Sequence, residues 1–113
     1  MIKITITYSI DANDWFDMDY YISKHLTMSQ SIFSEVLKGI TIDYITNEKH
    51  QITQVTGALY FENAADFYKK FIPAQEALTK DALLYTNSEP IVQISDIKLW
   101  NTPWDIKILK KIN

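Results

Sequence analysis

The sequence predicts an α+β domain in which two helices cover one face of a four-stranded antiparallel sheet. Segments with a hydrophobic period of two and segments with a period near 3.6 follow one another in the order β-α-β-β-α-β. A hairpin-sized turn separates the two middle strands. The length of 113 residues is that of one domain with one core. Because both helices pack on the same side, the opposite face of the sheet is left uncovered.

The first strand and the first helix have the clearest patterns. Apolar and polar side chains alternate from Ile2 to Ser9, which is typical of a half-buried strand. Asp17 is placed to cap a helix, whose apolar residues recur at spacings of three and four until a stop near Lys38 and Gly39. The inner arc of this helix is predicted to contain Met18, Tyr21, Ile22, His25, Met28, Ser29, Ile32, Phe33 and Val36.

The middle of the chain indicates a hairpin followed by a second helix. Ile40 to Ile45 and Ile52 to Phe61 both alternate as strands do. Gly57 marks a bulge or a close approach of backbone within the second of them. Asn63 is the predicted cap of the next helix. The inner arc of that helix is predicted to contain Ala64, Phe67, Phe71, Ala74 and Leu78.

The rest of the chain contains a proline inside the second helix and then the last predicted strand. Pro73 removes a hydrogen bond inside the second helix, so we expect a kink or an interruption between Lys69 and Pro73. Ile91 to Trp100 predicts the fourth strand, and residues 102–113 are interpreted as a Lys-rich C-terminal tail of the same domain.

The uncovered face of the sheet predicts self-association. It should carry Ile45, Ala58, Tyr60 and part of the fourth strand, which together form an apolar patch. A patch of this kind is typically buried against another molecule, and a second copy of the chain is the simplest partner. We therefore expect a homodimer.

Composition excludes several classes of function. The 14 acidic residues outnumber the 11 basic ones, and every basic residue is Lys, so nucleic acid is not an expected partner. The absence of Cys excludes thiol catalysis, disulfides and Cys-based zinc sites. No signal peptide or membrane-spanning run is visible, which predicts a cytoplasmic protein with no membrane partner. His25 and His50 have no carboxylates at ligand spacing, so no metal site is expected.

Several short motifs resemble those of the EthD family. They are Phe16 to Tyr21 followed by Lys24 and His25, Leu37 to Ile40, Leu59 to Phe61, Tyr85 to Asn87, and Pro90 to Ser95. The resemblance implies a ferredoxin-like protomer, two of which join sheet to sheet into a dimeric α+β barrel with the helices outside. It also implies an association with oxidative degradation pathways.

His25 is the residue on which a reaction would depend. It lies within the apolar arc of the first helix, where burial disfavours the charged imidazole and favours a neutral base. Tyr21, one turn earlier, is the second predicted catalytic residue. The predicted substrate-binding residues are Tyr8, Met28, Tyr44 and Tyr60. A purely structural role for His25, hydrogen-bonded in the core, is the alternative that the pattern leaves open.

Other polar residues have simpler explanations. Asp17 and Asp19 lie at a helix start, where capping and the helix dipole account for carboxylates. Lys24 falls outside the apolar arc and is expected to be solvated.

The functional hypothesis is a pocket for a small hydrophobic or aromatic metabolite between the helices and the sheet. His25 would transfer a proton to or from the bound molecule, with Tyr21 and Tyr8 fixing its oxygen, and no cofactor is required. Oxygenation of an electron-rich substrate without a cofactor would use the same proton abstraction. A ligand-binding or accessory protein without catalysis is the competing class, and a module whose sheet serves only assembly is a third.

Overall fold

The computed structural model describes residues 1–100. Its four strands are β1 (Ile2–Ser9), β2 (Gly39–Thr46), β3 (Ile52–Phe61) and β4 (Ile91–Asp96), which form one antiparallel sheet in the order β2-β3-β1-β4. This is the predicted ferredoxin-like topology. The predicted tail, residues 102–113, lies outside the described residues.

The fourth strand is shorter than the sequence predicts. It ends at Asp96, which pairs with Ile2, the first residue of β1. β1 begins at Ile2, so the last contact between the two segments is a hydrogen bond of 3.0 Å from the Ile97 amide to the Met1 carbonyl. The predicted extension of β4 to Trp100 is therefore wrong, because β1 offers no backbone groups to pair with it.

The first helical stretch has three parts. These are α1 (Met18–Tyr20), a π-helical turn (Tyr21–His25) and α2 (Leu26–Phe33), followed by a 3₁₀ turn (Ser34–Val36). Asp17 caps the start as predicted, since its Oδ1 accepts a hydrogen bond of 3.0 Å from the Tyr20 amide.

The stretch ends earlier than Lys38 and Gly39. The backbone of Ser34 has a φ of 52°, which interrupts the helix. By Lys38 the chain has joined the sheet, because the Lys38 amide donates to the Tyr60 carbonyl over 2.7 Å.

The second long helix, α3 (Ala64–Ala82), is continuous. Asn63 caps it as predicted, accepting from the Asp66 amide over 2.8 Å. The predicted interruption near Pro73 is wrong. Pro73 is exposed, so its ring lies on the solvent side, while Phe71 and Leu78 face the sheet side and line a cavity there. Packing of the inner face maintains the helix across the missing hydrogen bond.

Two clusters of buried side chains form the core between the helices and the sheet. The aliphatic and phenylalanine cluster consists of Ile2, Ile4, Phe33, Leu59, Phe61 and Phe67. The tyrosine cluster consists of Tyr8, Tyr21, Val55 and Tyr85. The helix-side positions of β1 and β3 are those that alternation predicts. Ile22, predicted for the inner arc of the first helix, is instead 50% exposed because the π-helical turn shifts the register of that helix.

The face of the sheet away from the helices is mixed in character. Ile45, Ala58 and Tyr60 lie on it as predicted, together with Ile91. Ala58, however, is only 5% exposed within the protomer, so it does not contribute to an exposed patch. Thr5, Thr7, Thr41, Thr56 and Gln93 alternate into the same face. The ring of Trp100 contacts Tyr60 with 5.2 Å between ring centroids. Among residues 1–100 there is no helix with the length and apolar character needed to cross a membrane.

Candidate functional site

A cavity of about 400 Å³ lies between the helices and the sheet. Its wall joins the two core clusters. The apolar part of the wall includes Ile4, Phe33, Leu59, Phe67 and Phe71, and the polar part includes Tyr8, His25, Ser29, Thr79 and Tyr85. Residues of β4 complete the wall, and Val92 and Ile94 there are 56% and 44% exposed, so the helices leave this side open to solvent. The cavity suits a small, largely apolar ligand that carries a few polar groups.

His25 forms an ion pair or hydrogen bond with a carboxylate of α3. The Nδ1 atom of His25 lies 2.8 Å from Oδ2 of Asp81, and the two side chains are 12% and 17% exposed. The other carboxylate oxygen of Asp81 accepts a hydrogen bond of 2.8 Å from the Tyr20 hydroxyl. Asp81 is thus held from two sides, and it orients the imidazole in turn.

Aromatic rings surround the imidazole. The ring centroid of Tyr85 lies 4.7 Å from that of His25, and Tyr21 stacks on His25 at 5.8 Å. The hydroxyl oxygens of Tyr8 and Tyr85 are 2.5 Å apart and form one short hydrogen bond. Burial raises the pKa of Tyr8, Tyr21 and Tyr85 above the ordinary value for tyrosine, so all three phenols are protonated at neutral pH.

A backbone strap holds α3 against the first helical stretch. The Asp17 amide donates to the Tyr85 carbonyl over 2.7 Å, and Phe16 and Thr86 form an antiparallel bridge. The Thr86 hydroxyl donates to the Trp15 carbonyl over 2.8 Å. Residues far apart in sequence are thereby fixed side by side, which places Tyr85 next to Tyr21 and His25.

The structure brings two of the predicted site residues to the cavity. His25 and Tyr8 line it. Tyr21 contacts His25, but its hydroxyl is directed at β3, where a Cβ atom on Gly57 would collide with it. Gly57 therefore marks a close approach of backbone and side chain, one of the two roles that the sequence predicted for it.

The other three predicted substrate-binding residues lie away from the cavity. Tyr60 points to the opposite face of the sheet, because it alternates with Leu59 along β3. Tyr44 is 58% exposed on the edge strand β2, which no helix covers at that end. Met28 is half-buried outside the wall, whereas Ser29, its predicted neighbour on the inner arc, lines the cavity, because the π-helical turn shifts the register of the helix.

Sequence reasoning missed Asp81 and Tyr85. Both continue the inner arc of α3, since Asp81 follows Leu78 by three residues and Tyr85 follows Asp81 by four. A carboxylate at an inner position of an apolar helix face indicates a candidate functional residue. Because an interruption is expected near Pro73, the predicted arc ends at Leu78 and leaves Asp81 and Tyr85 outside it.

Metal ligands do not converge within the part of the chain that the structure describes. Across residues 1–100 no group of three or more His, Cys, Asp or Glu side chains is close enough to hold an ion. His50 lies in the turn between β2 and β3, with a φ of 61°.

Solved structures with the same architecture identify the fold. An EthD-like protein from Ralstonia eutropha JMP134 superposes with a TM-score of 0.79 at 20% identity, over 90% of this chain and 96% of that one. This chain has the EthD-like fold. An ethyl tert-butyl ether D (EthD) family protein from Bacillus halodurans C-125 gives 0.64 at 14% identity, over 86% and 98% of the two chains.

A third similar structure is a dimeric ferredoxin-like protein from an uncultured marine organism. Its TM-score is 0.58 at 9% identity, over 89% of this chain and all of that one. No protein-family model matches the sequence, and no curated protein does. The resemblance to EthD proteins is thus confirmed for the fold.

Proposed function

We propose that this EthD-like protein is a proton-transfer enzyme that acts on a small hydrophobic or aromatic metabolite without a cofactor. The observation that carries the proposal is the pair of His25 and Asp81 at the wall of a largely apolar cavity. An imidazole at such a wall with a carboxylate behind it is a common arrangement for a general base.

The pair sets the tautomer of the imidazole. With the Nδ1 proton donated to Asp81, the lone pair of His25 is on Nε2, and that nitrogen has no hydrogen-bond partner among residues 1–100. When Nε2 takes a proton from a bound ligand, the imidazolium that forms is stabilised by the adjacent carboxylate. The Tyr20 hydroxyl keeps the carboxylate in place.

Tyr21 was predicted as a catalytic residue, and we propose a positioning role for it instead. Its hydroxyl faces Gly57 rather than the cavity, so it acts by packing against the imidazole and is a positioning residue. Degradative oxygenation, which the resemblance to EthD suggests, would start from the same proton abstraction by His25. It would differ in the next step, in which the resulting anion reacts with molecular oxygen.

A Kemp elimination tests the base directly. The probe 5-nitrobenzisoxazole is a flat apolar molecule whose C–H bond is cleaved by a base to give a coloured phenolate. We expect saturable turnover that falls by about 100-fold or more in His25→Ala, which is the usual contribution of a general base. Asp81→Asn should retain binding of the probe but lower kcat and alter the pH profile, because the tautomer is no longer fixed.

His50→Asn is the matched control. It removes the exposed imidazole outside the cavity, and Asn tolerates the positive φ found there. Equal turnover by wild type and His25→Ala would contradict the assignment of the base, and a wild type with no turnover above the uncatalysed rate would favour a ligand-binding protein without catalysis.

We also propose that two copies of the chain assemble through the sheet face away from the helices. Ile45 is 52% exposed and Ile91 63% exposed on this face. Such side chains gain from burial against a second copy, and the similar marine protein is itself a dimer.

A further inference from the structure

The hydroxyl pair of Tyr8 and Tyr85 contains one proton that forms no hydrogen bond to any residue in the described range 1–100. Two hydroxyl groups bring two protons, and one of them lies in the 2.5 Å bond between the oxygens. Neither hydroxyl makes another hydrogen bond within residues 1–100. Both residues are buried, with Tyr8 at 3% exposure and Tyr85 at none. Within residues 1–100 the second proton is therefore a buried donor without an acceptor, and folded proteins rarely leave such a group unsatisfied.

A ligand in the cavity could supply an acceptor for this hydroxyl proton. Both tyrosines belong to its wall, on the side that also holds His25. Burial raises the pKa of both phenols, so they remain donors at neutral pH. One phenol donating to the other makes the second a stronger donor, because hydrogen bonds in a chain polarise one another.

The rest of the wall limits what the acceptor can belong to. Among residues 1–100 no Lys, Asp or Glu side chain lines the cavity, so this part of the chain offers a phosphate or a dicarboxylate no matching charge. Another part of the wall includes Phe33, Phe67 and Phe71, which suits an aromatic or alkyl body. A ligand that fits both parts is an apolar molecule with one oxygen as its acceptor.

We propose that the paired hydroxyls of Tyr8 and Tyr85 bind the oxygen of a phenol or an enolisable carbonyl compound and stabilise that oxygen as an anion. This deepens the function proposed above and rests on it for the reaction. His25 takes the proton from the O–H or the adjacent C–H bond, and the electron pair of that bond is left on the ligand as a phenolate or enolate. The tyrosine pair donates its free proton as a hydrogen bond to that oxygen.

Binding of 4-nitrophenol tests the assignment independently of catalysis. Titrations are made above the pKa of free 4-nitrophenol, where the visible absorbance reports the phenolate and no base is required. The isosteric 4-nitrotoluene serves as the neutral comparison. We expect wild type to prefer the phenolate, and the double variant Tyr8→Phe/Tyr85→Phe to lose that preference by about tenfold or more, because a hydrogen bond to a charged oxygen is removed.

The double variant keeps the shapes of both rings and removes both partners of a buried hydrogen bond, a change that is close to neutral for stability. Each single variant is measured as well, so that one of them carries the test if the other fails to fold. Tyr44→Phe, at an exposed tyrosine, is the matched control.

His25→Gln separates this inference from the proposed function. It should abolish the Kemp elimination while the preference for 4-nitrophenolate remains. A double variant that binds the phenolate as wild type does would overturn the assignment, as would a wild type that binds neither probe or binds both equally. If the phenolate preference depends on the tyrosines but His25→Ala turns over normally, the oxygen site stands and the assignment of the base fails.

Discussion

The three buried tyrosines Tyr8, Tyr21 and Tyr85 make the tyrosine cluster sensitive to alkali. Burial raises the pKa of each phenol above its usual value of about 10. Above that value the unfolded chain releases these protons and the folded chain retains them, so the folded state binds more protons and its stability falls as pH rises. The contribution is complete below about pH 10, the pKa of tyrosine in the unfolded chain.

We therefore expect the free energy of unfolding to drop steeply on the alkaline side of the unfolded-state pKa. Tyr8→Phe/Tyr85→Phe should flatten that drop, because it removes two of the buried phenols that titrate. Urea unfolding at several pH values measures both curves. Tyr44→Phe, whose phenol is exposed, should leave the slope as in wild type, and a steep drop in the double variant would contradict this explanation.

The prediction of the site from sequence was limited at the level of single side chains. His25 and Tyr8 were found because each lies at an inner position of a regular pattern. Tyr60 lies on the opposite sheet face from the cavity, which alternation along β3 already indicates. Pairing across the helices is not visible in a sequence, so the contact between His25 and Asp81, 56 residues apart, required the structure.

The first helical stretch and β3 fit together at one glycine. The Tyr21 hydroxyl occupies the space where a side chain on Gly57 would begin, and the Ile42 side chain would lie 3.3 Å from that Cβ atom. Gly57→Ala should therefore destabilise the fold by about 1–3 kcal/mol, as overpacking of a core usually does. The φ of Gly57 is not positive, so backbone strain does not contribute.

A second substitution checks that explanation. Tyr21→Phe removes the oxygen atom nearest to the new methyl group and should restore part of the lost stability in Gly57→Ala. Thermal or urea unfolding of the two single variants and the double variant completes the cycle. Additive effects would show that the collision with the hydroxyl is not the cause. Gly39→Ala is the comparison, because a Cβ atom there makes only ordinary contact with Tyr60.

Elements were more predictable than side-chain contacts. Alternation of apolar residues located all four strands, because burial of one sheet face imposes a period of two. The π-helical turn at Tyr21–His25 escaped prediction, since one extra residue in a helix leaves no signature in composition. The continuity of α3 through Pro73 depends on packing against the sheet, which local propensity does not report.

At the scale of the whole molecule, the proposed assembly through the sheet face away from the helices leads to a simple expectation. Native mass spectrometry of the wild type should give the mass of two chains. Ile45→Lys/Ile91→Lys should shift the protein to the mass of one chain, because two charges would have to be buried in the contact. The far-UV circular dichroism should be unchanged, since both side chains are exposed within the protomer.

Ile72→Lys is the control for assembly. Ile72 is 65% exposed on α3, on the helix side of the protomer, so this variant should remain a dimer. A dimer that persists in Ile45→Lys/Ile91→Lys would place the contact elsewhere. The same spectrum, recorded on gently purified protein, would reveal any small molecule retained in the cavity as an added mass.

The backbone strap between Phe16 and Thr86 makes one amide a reporter of the site. Among residues 1–100 the Asp17 amide donates to the Tyr85 carbonyl alone, so this amide is protected only while the strap is closed at Tyr85. Its rate of hydrogen–deuterium exchange therefore reports local opening of the strap beside the cavity, while the amides between β1 and β3 measure unfolding of the sheet. A ligand that bridges His25 and the tyrosine pair would slow the first rate more than the second.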